Sequence, residues 1–98
     1  MEITISETVL NYNLSKAEFD AFAHEGVCKQ RIVIGEEPIL FVLQRTAENE
    51  MRATLHTNLV TVFVPENIAD EWTAGKNSFL ETQDGSLHIT IKAADSNE

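Results

Sequence analysis

Alternating apolar and polar residues predict strands in both halves of the chain. Residues 3–5, 10–14 and 27–34 alternate with a period of two, the pattern of a strand with one buried face. Residues 39–43 are almost continuously apolar, which predicts a central strand buried on both faces. In the second half, the predicted strands are 51–55, 59–64, 77–82 and 87–91.

In two places the spacing of apolar residues changes from every second residue to every third or fourth, and each change predicts a short helix. Ser15 and Glu18 form a capping box, because each side chain can accept a hydrogen bond from a backbone N–H of the first turn. Gly26 ends this helix, and Pro65 begins the second, where a missing N–H is tolerated. The apolar stripes are Phe19, Phe22 and Ala23 in the first helix and Ile68, Ala69 and Trp72 in the second.

The two halves match in pattern. At an offset of fifty, residues 10–14 fall on 60–64 and Phe22 falls on Trp72. Further on the best offset is forty-eight, which places Ile32 on Leu80, and we interpret the shift as a two-residue change in one loop.

This repeat predicts the fold. It is an α+β, mainly antiparallel domain spanning residues 1–98, a pseudo-two-fold tandem of ββαββ halves that forms a small barrel or curved sheet. The halves are approximately 1–46 and 51–93, and residues 94–98 form a frayed acidic tail.

Charge narrows the choice of partners. The chain of 98 residues has 7 Lys and Arg against 16 Asp and Glu, a net charge of -9. This argues against binding nucleic acid or an anionic membrane surface, because both attract cationic groups. We expect one small positive spot, formed by Lys29 and Arg31 on one strand with Arg45 on a neighbouring strand.

The cysteine content and the N-terminus predict a cytoplasmic protein. One cysteine, Cys28, cannot form an internal disulfide, which favours a reducing compartment. The chain shows neither a signal peptide nor an apolar run long enough to span a bilayer.

Candidate chemistry is sparse, and we predict no catalytic residue, no cofactor and no metal site. The three histidines, His24, His56 and His88, are widely separated and lack zinc-ligand spacing. We interpret Cys28 as a buried structural thiol rather than a nucleophile. The sequence-adjacent carboxylates at 36–37, 48–50 and 70–71 are interpreted as solvated charge.

Trp72 has two interpretations that the sequence leaves open. It is either a core anchor matched by Phe22 in the other half, or a partly exposed anchor for a partner, because tryptophan is enriched at binding hot spots.

Two resemblances follow from these motifs. The segments 14–19, 22–26 and 62–72, above all Val64-Pro65-Glu66 with Trp72, resemble a bacterial family of small acidic proteins of unknown function. That resemblance runs from Met1 to about Lys92 and implies no activity. Each half is also similar to the swapped-hairpin barrel units of AbrB-type regulators and MazE-type antitoxins. The basic hairpins with which those proteins read DNA are missing here, so only a fold is implied.

We therefore expect a small acidic soluble protein that is a non-enzymatic binding module for a protein or peptide partner with a cationic surface. The alternative is a small-molecule-binding protein or minor enzyme with a pocket in the barrel or between the halves. A third hypothesis is an oligomer building block. The sequence does not predict the oligomeric state.

Overall fold

Each half of the chain folds as two strands, a helix and two strands. The computed structural model describes residues 1–76 and 79–93. The elements are β1 (Glu2–Ile5), β2 (Val9–Leu14), α1 (Lys16–Glu25), β3 (Val27–Ile34), β4 (Glu37–Thr46), β5 (Arg52–His56), β6 (Leu59–Pro65), α2 (Glu66–Thr73), β7 (Phe79–Asp84) and β8 (Leu87–Ala93). The α+β class and the two-half order are confirmed. The predicted start of a strand at Asn77 and the predicted tail at 94–98 lie outside the described residues.

The strands form two four-stranded sheets. Sheet A has the order β1-β2-β8-β7, and sheet B has the order β3-β4-β6-β5. The hairpins are antiparallel, as predicted, but β2–β8 and β4–β6 are parallel pairs. The strands of a parallel pair come from different halves, so the pairing needs no crossover helix within one half.

The predicted closure of the strands into a small barrel is wrong. The described residues form two separate sheets and no closed barrel. Where β5 of sheet B approaches β7 of sheet A, the backbone N–H of Ala53 donates to Asp84 Oδ2 at 3.2 Å. The backbone N–H of this edge strand is thus bonded to a side chain and not to the backbone of another strand. The two sheets are therefore not joined by strand pairing between β5 and β7.

The core lies between the sheets and beneath the helices. Tyr12 of sheet A meets Phe41 of sheet B edge-on, with ring centroids 6.2 Å apart. The Tyr12 hydroxyl donates to the carbonyl of Val60 at 3.3 Å, which satisfies a buried polar group and joins the sheets. The fully buried residues around them include Leu14, Leu43, Val62, Val64, Ile89 and Ile91.

The helices begin and end largely as predicted. Ser15 Oγ accepts from the N–H of Glu18 at 3.2 Å, and Glu18 Oε1 accepts from the N–H of Ser15 at 2.9 Å, so the capping box is present. Gly26 closes α1 with φ 78°, the left-handed conformation that glycine favours. Ala23, expected in the apolar stripe, is exposed.

The halves use equivalent positions in their parallel pairs. Tyr12 pairs with Ile91, and its equivalent Val62 pairs with Leu43, as the offsets of fifty and forty-eight require. The offset expected for the third strand is wrong. Cys28, not Ile32, is equivalent to Leu80, because Cys28 pairs with Leu43 as Leu80 pairs with Ile91.

This register requires two changes in length instead of one. The helix-to-strand connection is two residues longer in the second half, and the β3–β4 hairpin reaches two residue pairs further than β7–β8. The extension exposes Val33 and Ile34 beyond the core, at 58% and 62%. Its turn is only Gly35–Glu36, because Glu37 and Pro38 already pair in β4.

Candidate functional site

Cys28 lies in β3 with its thiol buried beneath α1. Burial raises the pKa of this thiol to about 11, and the negative charge of Glu18 adds to the effect. The thiol is therefore protonated at neutral pH and largely shielded from solvent, whereas a nucleophilic cysteine needs an accessible thiolate.

The histidines lie on three different parts of the molecule. His24 Nδ1 is 2.8 Å from the carbonyl oxygen of Asp20 on α1, and His56 is exposed at the end of β5. His88 Nε2 lies 3.5 Å from Glu81 on the outer face of sheet A. Within residues 1–76 and 79–93, His, Cys, Asp and Glu form no group of three that could hold a metal ion.

Trp72 lies in the core. Its side chain is 1% exposed, and its ring packs at 4.9 Å from Phe19 and 5.7 Å from Phe22 between centroids. The structure thus places Trp72 as the core anchor that the first interpretation describes. The interpretation of Trp72 as an anchor for a partner requires exposed side-chain area. A side chain so deeply buried offers none.

The surface of the two adjacent helices carries six carboxylates, spread over more than one side of α1. We call this surface the helical face; the only lysine on the two helices is Lys16. Its carboxylates are Glu18, Asp20, Glu25, Glu66, Asp70 and Glu71. The sequence predicts Asp70 and Glu71 as solvated charge and Glu18 as part of the helix cap, but it does not show that the two helices are adjacent, because that depends on the contact between α1 and α2.

Three of these carboxylates already have cationic partners. Lys16 Nζ lies 3.1 Å from Asp20, and Arg45 Nη1 lies 2.7 Å from Asp70. Glu18 accepts from the Met1 amino group. Among the described residues, Glu25, Glu66 and Glu71 form no ion pair, and all three are exposed.

Glu18 is held in its charged form. Burial alone would raise its pKa, but the hydrogen bond from the Met1 amino group and the two from Ser15 outweigh burial, so the pKa of Glu18 is lowered from its ordinary value.

The cations of sheet B are arranged differently from the prediction. Lys29 and Arg31 lie on the outer side of β3, as expected, but Arg45 does not join them. Arg45 instead lies beside α2, where its guanidinium binds Asp70. The third cation of this outer face is Arg52, which lies 4.7 Å from the ring centroid of Phe63 and is bonded to Glu48.

Two open clefts flank the sheets. The first, about 330 Å³, lies on the outer face of sheet A and is lined mainly by polar residues such as Asn11, Asn13 and Thr90. The second, about 270 Å³, is lined almost entirely by apolar residues, including Ile5 and Leu55. The lining of the first cleft includes Tyr12, whose pKa is raised by burial, but its hydroxyl donates to the carbonyl of Val60 in the core, so neither of these two clefts supplies an evident acid or base.

Neither helix of the described chain, at ten and eight residues, is long and apolar enough to cross a membrane.

Comparison with known proteins gives one match. The family model described as Family of unknown function (DUF7009) matches residues 1–93. No curated protein and no solved structure matches the chain. The resemblance to a family of unknown function is therefore confirmed, while a bacterial origin and the similarity to AbrB-type and MazE-type units stay predictions.

Proposed function

Because the chain belongs to the Family of unknown function (DUF7009) and membership assigns it no activity, we propose from its geometry that it is a non-enzymatic binding module. Its partner is a protein or peptide with a cationic surface, and it binds on the helical face. The observation that carries the proposal is the concentration of six carboxylates against one lysine on two adjacent helices.

Three carboxylates of this face are free to bind a partner. Glu25, Glu66 and Glu71 are exposed and, in the described part of the chain, pair with no cation. A lysine or arginine of a partner meets them without first displacing an internal ion pair. Charge complementarity of this kind accelerates encounter and selects against wrong partners more than it adds affinity.

The packing below the helices supports this role. Phe19 of α1 lies edge-on against Trp72 of α2, so the two helices are joined through buried aromatic rings. Rigidly held charges are better suited to recognition than charges on a mobile loop. Trp72 thereby contributes to binding from beneath the surface, without touching the partner.

The cytoplasmic location belongs to the same proposal. It is supported by the single cysteine, Cys28, whose buried thiol forms no disulfide.

The test compares two triple variants of equal net charge. One removes three charges from the helical face, Glu25→Gln with Glu66→Gln and Glu71→Gln. The control removes three exposed charges elsewhere, at Glu7, Glu36 and Glu50. The probe is a fluorescent lysine-rich peptide, titrated by anisotropy at about 0.15 M salt, where charges more than about 8 Å apart are largely screened.

We expect the helical-face variant to lose most of the binding and the control variant to keep it. Equal losses in the two variants would mean that the peptide responds only to net charge, and no binding to the unaltered protein would also overturn the proposal.

A further inference from the structure

The two sheets end in four edge strands of unequal length. β3 has 8 residues, whereas β1, β5 and β7 have 4, 5 and 6. An edge strand presents backbone N–H and C=O groups that can pair with another chain. β3 is therefore the longest edge that the described residues offer to a partner.

Two of the shorter edges face each other across the open seam without pairing as strands. β5 and β7 lie side by side, and the N–H of Ala53 is bonded to Asp84. The first part of β3 is covered, because α1 packs against it and the Met1 amino group lies 3.4 Å from Gln30 Oε1. The open part is the end of β3, where the hairpin extends beyond its counterpart in the other half.

The geometry of the turn shows which backbone groups are available. Ile34 and Glu37 flank a two-residue turn and so form a hydrogen-bonded pair. Hydrogen-bonded and non-hydrogen-bonded residue pairs alternate along an antiparallel ladder, so Val33 and Arg31 belong to non-hydrogen-bonded pairs. Their backbone N–H and C=O groups therefore point away from β4, toward the open edge. The carbonyl oxygen of Arg31 accepts a hydrogen bond from the side chain of the adjacent residue, Gln30 Nε2, at 3.1 Å. A hydrogen bond from an added strand can replace this contact.

The side chains beside these groups specify the kind of partner. Lys29 and Arg31 are exposed on the outer side of β3 and, within residues 1–76 and 79–93, form no ion pair. Ile32 and Ile34 lie on the opposite side of the strand. Ile32 is half-buried, and Ile34 is 62% exposed. A strand added here therefore meets two cations and Val33 on one side and aliphatic groups on the other.

We propose that the open edge of β3, residues 29–34, binds an extended acidic peptide segment as an additional antiparallel strand of sheet B. The segment alternates Asp or Glu, facing Lys29 and Arg31, with aliphatic residues, facing Ile32 and Ile34. Main-chain bonds to Arg31 and Val33 supply the attachment, and the alternating side chains supply the specificity.

A second copy of the chain fits this edge poorly. Two antiparallel β3 strands would set Lys29 and Arg31 of one copy against the same cations of the other, and like charges opposite each other destabilise a strand pair. The site borders the helical face, since Lys29 shares a cleft with Glu18 and Glu25, but it takes a partner of the opposite charge on a strand edge, so it goes beyond the function proposed above.

The first experiment uses the full chain and a fluorescent peptide of alternating glutamate and valine, followed by anisotropy. Lys29→Glu with Arg31→Glu is expected to weaken binding about tenfold or more, as two reversed cross-strand pairs would. The matched control is Lys76→Glu with Lys92→Glu, which changes net charge equally at other exposed positions and should leave affinity within about twofold.

The second experiment separates strand addition from charge attraction. Amide exchange should slow at Arg31 and Val33 when the peptide is bound, and a scrambled peptide of the same composition should bind markedly less well. Equal binding of the scrambled peptide, equal losses in the two charge variants, or no change in amide exchange would each overturn the proposal. The helical-face variant should bind this acidic peptide at least as well as the unaltered protein, because it removes only negative charge, so the two proposals fail independently.

Discussion

At the scale of single residues, the buried aromatic and aliphatic side chains were the most predictable feature. Phe22 and Trp72 occupy equivalent positions of the two halves and are 2% and 1% exposed, as the helical spacing predicts. Their contact with each other was not predictable, because it depends on how the two helices meet. The same limit applies to Arg45, whose position in the sequence gives no sign that Asp70 lies within reach.

Replacing Trp72 with alanine should destabilise the protein by about 3–5 kcal/mol, because it leaves a cavity where two aromatic rings now pack. This is a large share of the roughly 5–15 kcal/mol that holds a domain folded. Urea unfolding measures the change. Leu55→Ala is the control, since Leu55 is 73% exposed and its truncation should cost within about 0.5 kcal/mol. A Trp72→Ala variant as stable as the control would contradict the core role.

At the scale of elements, the caps of α1 follow from local chemistry and are as predicted, whereas β4 runs from Glu37 to Thr46, beyond the predicted 39–43. Ser15 with Glu18 marks the start of α1, and Gly26 marks its end. The register of β3 was mispredicted, because a period-two pattern aligns equally well when shifted by two or four residues. Only the pairing of Cys28 with Leu43 reveals that the hairpin was extended.

The capping box makes the stability of α1 depend on pH. The folded-state pKa of Glu18 is lowered from 4.5, so its charged form stabilises the fold above the unfolded-state pKa. That contribution is lost as the pH falls through the folded-state value. Glu18→Gln keeps an acceptor at the cap but removes the charge, and should cost less than about 1 kcal/mol at pH 7, since its pair with the Met1 amino group is only partly buried and is still screened by solvent.

Urea unfolding at a series of pH values checks this expectation. The difference between the protein and Glu18→Gln should shrink toward zero as the pH falls below about 4. Glu36→Gln, in the exposed β3–β4 turn, is the control. A difference that stays constant from neutral to acid pH would show that the charge of Glu18 has no part in the cap.

At the scale of the whole molecule, the sequence predicts the class and the two halves but not their assembly. Alternation shows that each strand has a buried face without showing which strand lies beside it, so the parallel pairs and the open seam between β5 and β7 were missed. The two candidate binding surfaces also differ in how far the sequence predicts them. Lys29 and Arg31 were predictable as a pair because they share one strand, whereas the helical face combines residues from two halves.

The pairing of strands from different halves makes each half dependent on the other. Each half supplies one hairpin to sheet A and one to sheet B, and the halves meet at β2–β8 and β4–β6. A half by itself would expose both of these strand edges together with core residues such as Tyr12 and Leu43. Isolated hairpins are marginally stable at best in water.

We therefore expect fragments 1–46 and 51–98 each to lack strand signal by circular dichroism and to recover it, with cooperative unfolding, when mixed in equal amounts. Introducing Ile91→Asp into the second fragment should prevent recovery, because Ile91 is fully buried beside Tyr12 at the junction, whereas Leu55→Asp at an exposed position should not. Either fragment folding alone as a monomer would contradict this interdependence. A folded dimer of 1–46 would instead show that one half can take the place of the other, the result that an internal repeat predicts.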